Sequence, residues 1–272
     1  MEESASIWQQ ALQWFLLIGG GMALVGVIAH EKRHPADRHQ LTDTLAGRSW
    51  EPRQVFILLA TLVMLYLAAG FTGQFFQGER RQMLPYVQLL VTLIIYAVLM
   101  LEAGIISRIR GGSWTQNLGV DASSFRKIRL VPLIYLATIP LIIVASKLYQ
   151  LLLTFILRNE PEVQEVVEIV SRDMSLLKML YIGMAVFAAP VYEELLYRGV
   201  FLPYMVKRSN LAVGTVLGSV LFAVMHNNAA SLISLLLLSA VLSLAYWRTG
   251  SLWVSIGVHM LFNAVTIIAL NI

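Results

Sequence analysis

The sequence predicts an all-α fold, namely a polytopic transmembrane bundle of about eight helices. Two features of the composition indicate this fold. Hydrophobic residues make up 58% of the 272 residues and charged residues only 13%, whereas a soluble domain averages about 25% charged residues. The apolar residues also fall into long runs, and a helix that crosses a bilayer needs about 20 of them. The chain, residues 1–272, therefore reads as a single integral membrane domain.

Eight apolar segments account for these spans, and more polar connections separate them. The predicted spans are 8–29, 54–76, 85–107, 130–157, 177–205, 211–226, 229–247 and 252–271. The sixth of these segments is the shortest, and it is short enough to lie partly at the membrane interface.

The basic residues of the connections predict how the bundle is oriented. Segments 30–53 and 108–129 each contain five Lys or Arg residues, whereas segment 77–84 contains two. Because basic loops favour the cytoplasmic side of a membrane, we expect both of the more basic segments in the cytoplasm. An even number of spans then places both ends of the chain on the outer side.

The composition also excludes several classes of protein. The chain contains no cysteine, which rules out disulfides and thiolate metal sites. Its net charge of +4 reflects loop orientation in a membrane protein, so we expect the lipid bilayer as a partner and no nucleic acid. The N-terminal stretch MEESASIWQQ lacks the basic n-region of a signal peptide, and we expect the first apolar segment to be retained.

The segment 158–176, RNEPEVQEVVEIVSRDMSL, differs from the other connections. Its valines fall on one face of a helix, and acidic residues lie on the opposite face. The pattern predicts an amphipathic connector on the outer side of the membrane. A lid or a substrate-access element is the alternative interpretation.

Two carboxylates and a guanidinium interrupt the fifth predicted span, in the stretch PVYEELLYRG that begins at Pro190. Ionisable groups inside a span are costly and usually functional. Glu194 and Arg198 are four residues apart, so they share a helix face and can pair. Glu193 points about 100° away around the helix, which leaves its carboxylate free to act. Pro190 removes a backbone donor, which can kink the helix and open space for water.

Two histidines lie on the later spans at comparable depths. Phe222 and His226 are four residues apart in LFAVMHNN, and His259 and Asn263 are four apart in VHMLFNAV. Each pair therefore projects from one face of its helix. At about 1.5 Å per residue, His226, His259 and Asn263 come within about a turn of the depth of Glu193, because consecutive spans alternate in direction. We therefore expect these side chains to share one layer of the bundle.

Such a layer could hydrolyse a peptide bond. Glu193 and His226 could hold one water between them, and a carboxylate removed from bulk water is a plausible general base. His259 and Asn263 offer two donors on one face, as an oxyanion hole requires. The chain has no well-supported Ser or Cys nucleophile, so direct attack by water is favoured.

Three short motifs follow one another along the last predicted spans. EELLYR, FAVMH and HMLFN resemble the EExxxR, FxxxH and HxxxN/D motifs of the CPBP family. That family includes type II CAAX prenyl endopeptidases, which are Ras-converting glutamic intramembrane proteases, and bacteriocin-immunity-type proteins. The resemblance covers residues 177–265, which form the predicted motif-bearing catalytic core. The preceding spans match only in being apolar.

The resemblance implies a metal-independent intramembrane endopeptidase whose substrate is a membrane-associated protein or peptide. By motif position, Glu193 would be the catalytic base, His226 would hold the water with it, and His259 and Asn263 would stabilise the oxyanion. The supporting residues would be Glu194, Arg198 and Phe222. We expect the protein in a bacterial inner (plasma) membrane, with the active layer inside the bilayer and reached from the cytoplasm.

Two alternatives remain open. In the first, the protease depends on a metal, because Glu193, His226 and His259 are acceptable zinc ligands and catalytic zinc keeps a position open for water. In the second, the same residues form a binding site or proton relay in a non-enzymatic membrane immunity, scaffold or transport protein. A relay has no use for the Asn263 amide, and this favours the protease.

Overall fold

The computed structural model describes residues 2–35, 37–48, 50–76, 82–109, 113–157 and 175–271. Within these ranges the chain is helical and contains no strand, so the predicted all-α class is confirmed. The helices are α1 (Glu2–Arg33), α2 (Arg38–Gly47), α3 (Pro52–Gly70), α4 (Leu84–Ile109), α5 (Trp114–Leu118), α6 (Ala122–Phe125), α7 (Val131–Leu157), α8 (Leu176–Arg208), α9 (Leu211–Met225), α10 (Leu232–Thr249) and α11 (Leu252–Asn271).

Seven of these helices are long and apolar enough to cross a membrane, namely α1, α3, α4, α7, α8, α10 and α11. The helix α9 has 15 residues and is therefore about 22 Å long, less than the roughly 30 Å hydrocarbon core of a bilayer. It corresponds to the segment that the sequence marked as short. The chain turns back after it, and α10 returns to the end of the bundle from which α9 began.

The two basic connections lie at the same end of the bundle. Arg48, just after α2, donates to the Tyr246 hydroxyl at 3.0 Å and to the Gly250 carbonyl at 2.8 Å. The backbone N–H of Leu252 bonds to Gly119 O at 3.1 Å, which brings the second basic segment to the same place. This common location agrees with the charge pattern. The side of the membrane on which this end lies stays a prediction.

The basic segment 30–53 also contains a helix that the span pattern did not predict. The helix α2 begins after Asp37, whose carboxylate accepts the backbone N–H of Gln40 at 3.0 Å. This is the ordinary capping role of an aspartate at a helix N-terminus.

The amphipathic connector predicted at 158–176 lies almost entirely outside the described residues. The structure resumes at Ser175, whose hydroxyl accepts the N–H of Lys178 at 3.1 Å and so caps the start of α8. The connector therefore stays a prediction.

The helix α8 carries the paired carboxylates and is irregular around them. It contains two π-helical stretches, Met184–Ala188 and Leu195–Phe201. Such stretches are rare, and they often mark functional sites. A proline follows each stretch and leaves a backbone carbonyl without its N–H partner. Beside the second stretch, the Trp50 indole N–H bonds to Gly199 O at 2.9 Å.

Candidate active site

Glu194 and Arg198 form a fully buried ion pair at the centre of the bundle. Both side chains are 0% exposed, and Arg198 Nη1 lies 2.6 Å from Glu194 Oε1. Arg198 Nη2 donates to the carbonyl and the hydroxyl of Ser239 on α10, at 2.9 Å and 2.8 Å. The predicted pairing is thereby confirmed. Both members of the pair lie on α8, and the two bonds from Arg198 to Ser239 join this helix to α10.

The His259 ring lies between the two carboxylates of α8. Its Nδ1 lies 2.9 Å from Glu194 Oε1, the oxygen that also accepts from Arg198. A carboxylate paired with a guanidinium can only accept, so Nδ1 carries a proton and donates it to this bond. On the other side of the ring, Nε2 lies 3.8 Å from Glu193 Oε2. That separation is too long for a hydrogen bond, but the two side chains lie next to each other.

The Glu193 carboxylate faces a small cavity. Its side chain is 15% exposed, and within the described residues its Oε2 is buried without a hydrogen-bond partner. The cavity has a volume of about 180 Å³, and four tyrosines line it together with Glu193 and His226. The tyrosines are Tyr66, Tyr96, Tyr192 and Tyr197. The two carboxylates thus differ in position, since Oε1 of Glu194 is bonded to Arg198 and His259 and Glu193 lines the cavity.

His226 reaches this cavity from the end of α9. Its Nδ1 lies 2.7 Å from the carbonyl oxygen of Phe222, and a carbonyl only accepts, so Nδ1 is the protonated nitrogen. The two rings are also in contact, with centroids 4.6 Å apart. The short α9 therefore ends where the sequence predicted the active layer.

Phe222 occupies the space between the charged residues. It is 0% exposed, and its ring contacts that of His259 at a centroid distance of 5.6 Å. The Arg198 guanidinium carbon lies 5.2 Å from its ring centroid, a distance at which a cation is attracted to an aromatic face. These contacts agree with a supporting role for Phe222.

Asn263 bonds to the backbone of α8. Its Nδ2 donates to Ala185 O at 2.7 Å. In the π-helical register seen here, Ala189 N–H bonds to Met184 O, so residue 190 would bond to Ala185 O. Pro190 has no N–H, and the Asn263 amide replaces it. One of the two N–H groups of Asn263 is therefore committed to the helix.

This geometry reduces the number of N–H donors that the predicted oxyanion hole can use. His259 and Asn263 were expected to offer their donors on one face, yet each has one N–H engaged, with Glu194 and Ala185 respectively. The donors left for an oxyanion are the second N–H of Asn263 and, in the doubly protonated ring, Nε2 of His259. The oxyanion role of these two residues stays a prediction.

The zinc alternative requires Glu193, His226 and His259 to converge on one ion. In the part of the chain that the structure describes, no group of three or more His, Asp or Glu side chains is arranged to hold a metal ion. Metal analysis of the protein is the direct test.

Sequence reasoning missed the residues that enclose the cavity. Tyr96 on α4 and Tyr192 on α8 stack with ring centroids 4.0 Å apart, and Tyr66 on α3 lies beside them at the cavity. Tyr192 and Tyr197 flank the two glutamates in VYEELLYR. This closeness in sequence was the one indication that tyrosines lie at the site. Tyrosines on α3 and α4 are ordinary in apolar spans, so nothing in the sequence connected them with Glu193.

Comparison with known proteins agrees with the motifs. Residues 175–265, which are 91 of the 272, match the family described as Type II CAAX prenyl endopeptidase Rce1-like. The matched region contains Glu193, Glu194, Arg198 and both histidines of the site. No match was found among curated proteins or among solved structures. The resemblance is confirmed for this region, and it supports a membrane-embedded protease of the CAAX-protease type.

Proposed function

We propose that this protein is an intramembrane endopeptidase in which Glu193 activates a water for attack on a peptide bond. One observation carries the proposal. Two adjacent glutamates lie in one buried layer. Oε1 of Glu194 is bonded to Arg198 and His259, whereas Glu193 lines the cavity and its Oε2 is buried without a hydrogen-bond partner among the described residues. A carboxylate in that position can accept a proton from water. The family match adds that residues 175–265 have the sequence pattern of a protease family.

The reaction follows from the positions of these groups. Water held between Glu193 and His226 gives a proton to the Glu193 carboxylate, and its oxygen attacks the peptide carbonyl carbon. The second N–H of Asn263 and, when the ring is doubly protonated, the Nε2–H of His259 stabilise the oxygen that becomes negative. When the C–N bond breaks, Glu193 returns the proton to the departing amine. Glu194 takes no proton in this scheme, and it orients His259 instead.

The substrate we propose is a segment of a membrane-associated protein. The cavity beside Glu193 opens among aromatic and apolar side chains, and an extended peptide can reach it more easily than a helix can, because a helix buries its carbonyl groups in its own hydrogen bonds. We place the protein in a bacterial inner membrane, with this site reached from the cytoplasmic side, and we propose that it works without a metal.

The test compares wild type with Glu193→Gln. Both proteins are purified in detergent with a chelator and incubated with a membrane-protein extract, and new peptide termini are then mapped. The matched control is Glu102→Gln, since Glu102 is another intramembrane carboxylate, bonded to Thr61 at 3.1 Å and far in sequence from the site. We expect new termini with wild type and with the control, and none with Glu193→Gln.

A second arm repeats the comparison with added zinc. Cleavage that requires zinc, together with stoichiometric metal in the purified protein, would replace the water-only mechanism with the metal-dependent alternative. The absence of any difference between wild type and Glu193→Gln in both arms would favour a non-enzymatic binding or relay role.

A further inference from the structure

A second and larger cavity lies at one end of the bundle, away from the glutamates. It has a volume of about 740 Å³ and is bounded by the end of α1, by α2, by the start of α9 and by the end of α10. We call it the α1–α2 crevice. It shares no lining residue with the Glu193 cavity. Its volume lies within the range of about 300–1,000 Å³ that is usual for small-molecule sites.

The polar end of the crevice carries unbalanced positive charge. Glu31 is paired with Arg248, with 2.9 Å between Oε1 and Nε, so this acid is already neutralised. Lys32 and Arg38 also line the crevice, and neither makes an ion pair within the described residues. The neighbouring Asp37, whose carboxylate caps α2, is not among the residues that line the crevice. Two cations therefore remain for an anionic group.

The other end of the crevice is apolar and continues onto the lipid-facing surface. Its wall includes Ile28 and Leu244, which are 48% and 45% exposed. Ile28 precedes Lys32 by one helical turn, so along α1 the apolar wall lies about 6 Å deeper than the cation. An anionic group at the surface with hydrocarbon below it is the arrangement of a phospholipid.

Trp247 and Thr42 connect the two ends. The indole N–H of Trp247 donates to Thr42 Oγ1 at 3.2 Å, and both residues line the crevice. Tryptophan is enriched at the level of lipid headgroups, because its ring is apolar and its N–H is polar. Trp247 therefore marks the depth at which the headgroup of a bound lipid would meet its chains.

We propose that the α1–α2 crevice binds one anionic phospholipid. Its phosphate lies between Lys32 and Arg38, and its acyl chains run along Ile28 and Leu244. Basic pockets between transmembrane helices are known to suit anionic headgroups. A lipid in this position contacts α1, α2, α9 and α10 at once, and so it stabilises the packing of α1 and α2 against the helices that carry the active site.

The test measures thermal unfolding of the delipidated full-length protein in detergent. Phosphatidylglycerol, phosphatidylcholine with the same chains, and inorganic phosphate are added separately. At about 100 times its dissociation constant, a specific lipid raises the unfolding midpoint of a chain of this size by about 5 °C. We expect that shift with phosphatidylglycerol, and at most a small shift with either of the other two.

The variant Lys32→Gln with Arg38→Gln tests the assignment of the site. We expect it to lose the difference between phosphatidylglycerol and phosphatidylcholine, whereas the control Arg53→Gln with Arg126→Gln keeps it. Leu244→Trp, which fills the apolar end, should reduce the shift without removing charge. The proposal would be overturned if phosphatidylcholine or inorganic phosphate raised the unfolding midpoint of the wild type as much as phosphatidylglycerol does. It would also be overturned if the control variant lost the difference between the two lipids to the same extent.

Discussion

The imidazole of His259 lies 2.9 Å from the carboxylate of Glu194, through Nδ1 and Oε1. This bond connects the last helix to the buried pair that Glu194 forms with Arg198. It also fixes which ring nitrogen faces Glu193, because Nδ1 is used and Nε2 is presented to the site. In the proposed mechanism Glu194 therefore positions the site, although it lies beside Glu193 in sequence.

The two glutamates should respond differently to the same substitution. Glu194→Gln leaves Arg198 buried without a counter-ion, and breaking such a pair costs about 3–5 kcal/mol. Glu193→Gln removes a carboxylate whose Oε2 has no partner within the described residues, so we expect it to unfold near the wild-type temperature. Thermal unfolding in one detergent measures both. Equal destabilisation by the two variants would contradict the division of roles.

The bond from Asn263 to Ala185 should depend on Pro190. Asn263→Ala removes the bond to the half-buried Ala185 carbonyl and should cost about 1 kcal/mol. In a Pro190→Ala background the alanine at that position supplies its own N–H to Ala185 O, so the same substitution should cost less. A double-mutant cycle on unfolding temperatures measures the coupling. The same cost in both backgrounds would show that the amide does not replace the missing N–H.

Filling the tyrosine-lined cavity should block catalysis without unfolding the protein. Leu62 lines the cavity on α3, whereas Leu67 on the same helix is 59% exposed. We expect Leu62→Trp to abolish cleavage of a peptide taken from the mapped termini, because the larger ring occupies the space beside Glu193. Leu67→Trp should cleave at the wild-type rate. Full activity of Leu62→Trp would remove the cavity from the mechanism.

The glycine triplet at 19–21 allows a test of how α1 packs on α7. A Cβ at Gly20 would meet the Leu136 carbonyl oxygen and, at 2.6 Å, the Pro140 ring, whereas nothing lies within 4 Å of one at Gly19. Small residues let transmembrane helices approach closely. Gly20→Ala should therefore lower the unfolding temperature. Gly19→Ala should leave it unchanged or raise it, since alanine favours a helix over glycine by up to about 1 kcal/mol. The opposite order would contradict this packing.

The features that depend on local spacing could be predicted from the sequence. The apolar runs predicted the transmembrane helices because length and hydropathy suffice. Among the predicted spans, as far as the structure describes them, α9 alone is shorter than a full span. The four-residue spacing predicted the bond between Glu194 and Arg198. The comparable depths of Glu193, His226 and His259 followed from alternating helix directions.

The features that depend on contacts between helices could not be predicted. The π-helical register at Met184–Ala188 indicates that Pro190 deprives Ala185 O of a backbone partner, and no residue pattern reveals that register. Ser239, which binds Arg198, is one of several serines in its span. The contribution of Tyr66 and Tyr96 to the cavity depends on how α3 and α4 pack against α8, which their sequences do not specify.

The central claim is that Glu193, and not its neighbour, activates the water. The most direct measurement is the single-turnover rate at which Glu193→Gln cleaves the mapped peptide, compared with wild type at equal unfolding temperature and with a chelator present. Loss of a general base predicts a decrease of about 10²–10⁴-fold. A rate within about tenfold of wild type, below the effect expected of a general base, would contradict the claim and direct the search for the base to another group.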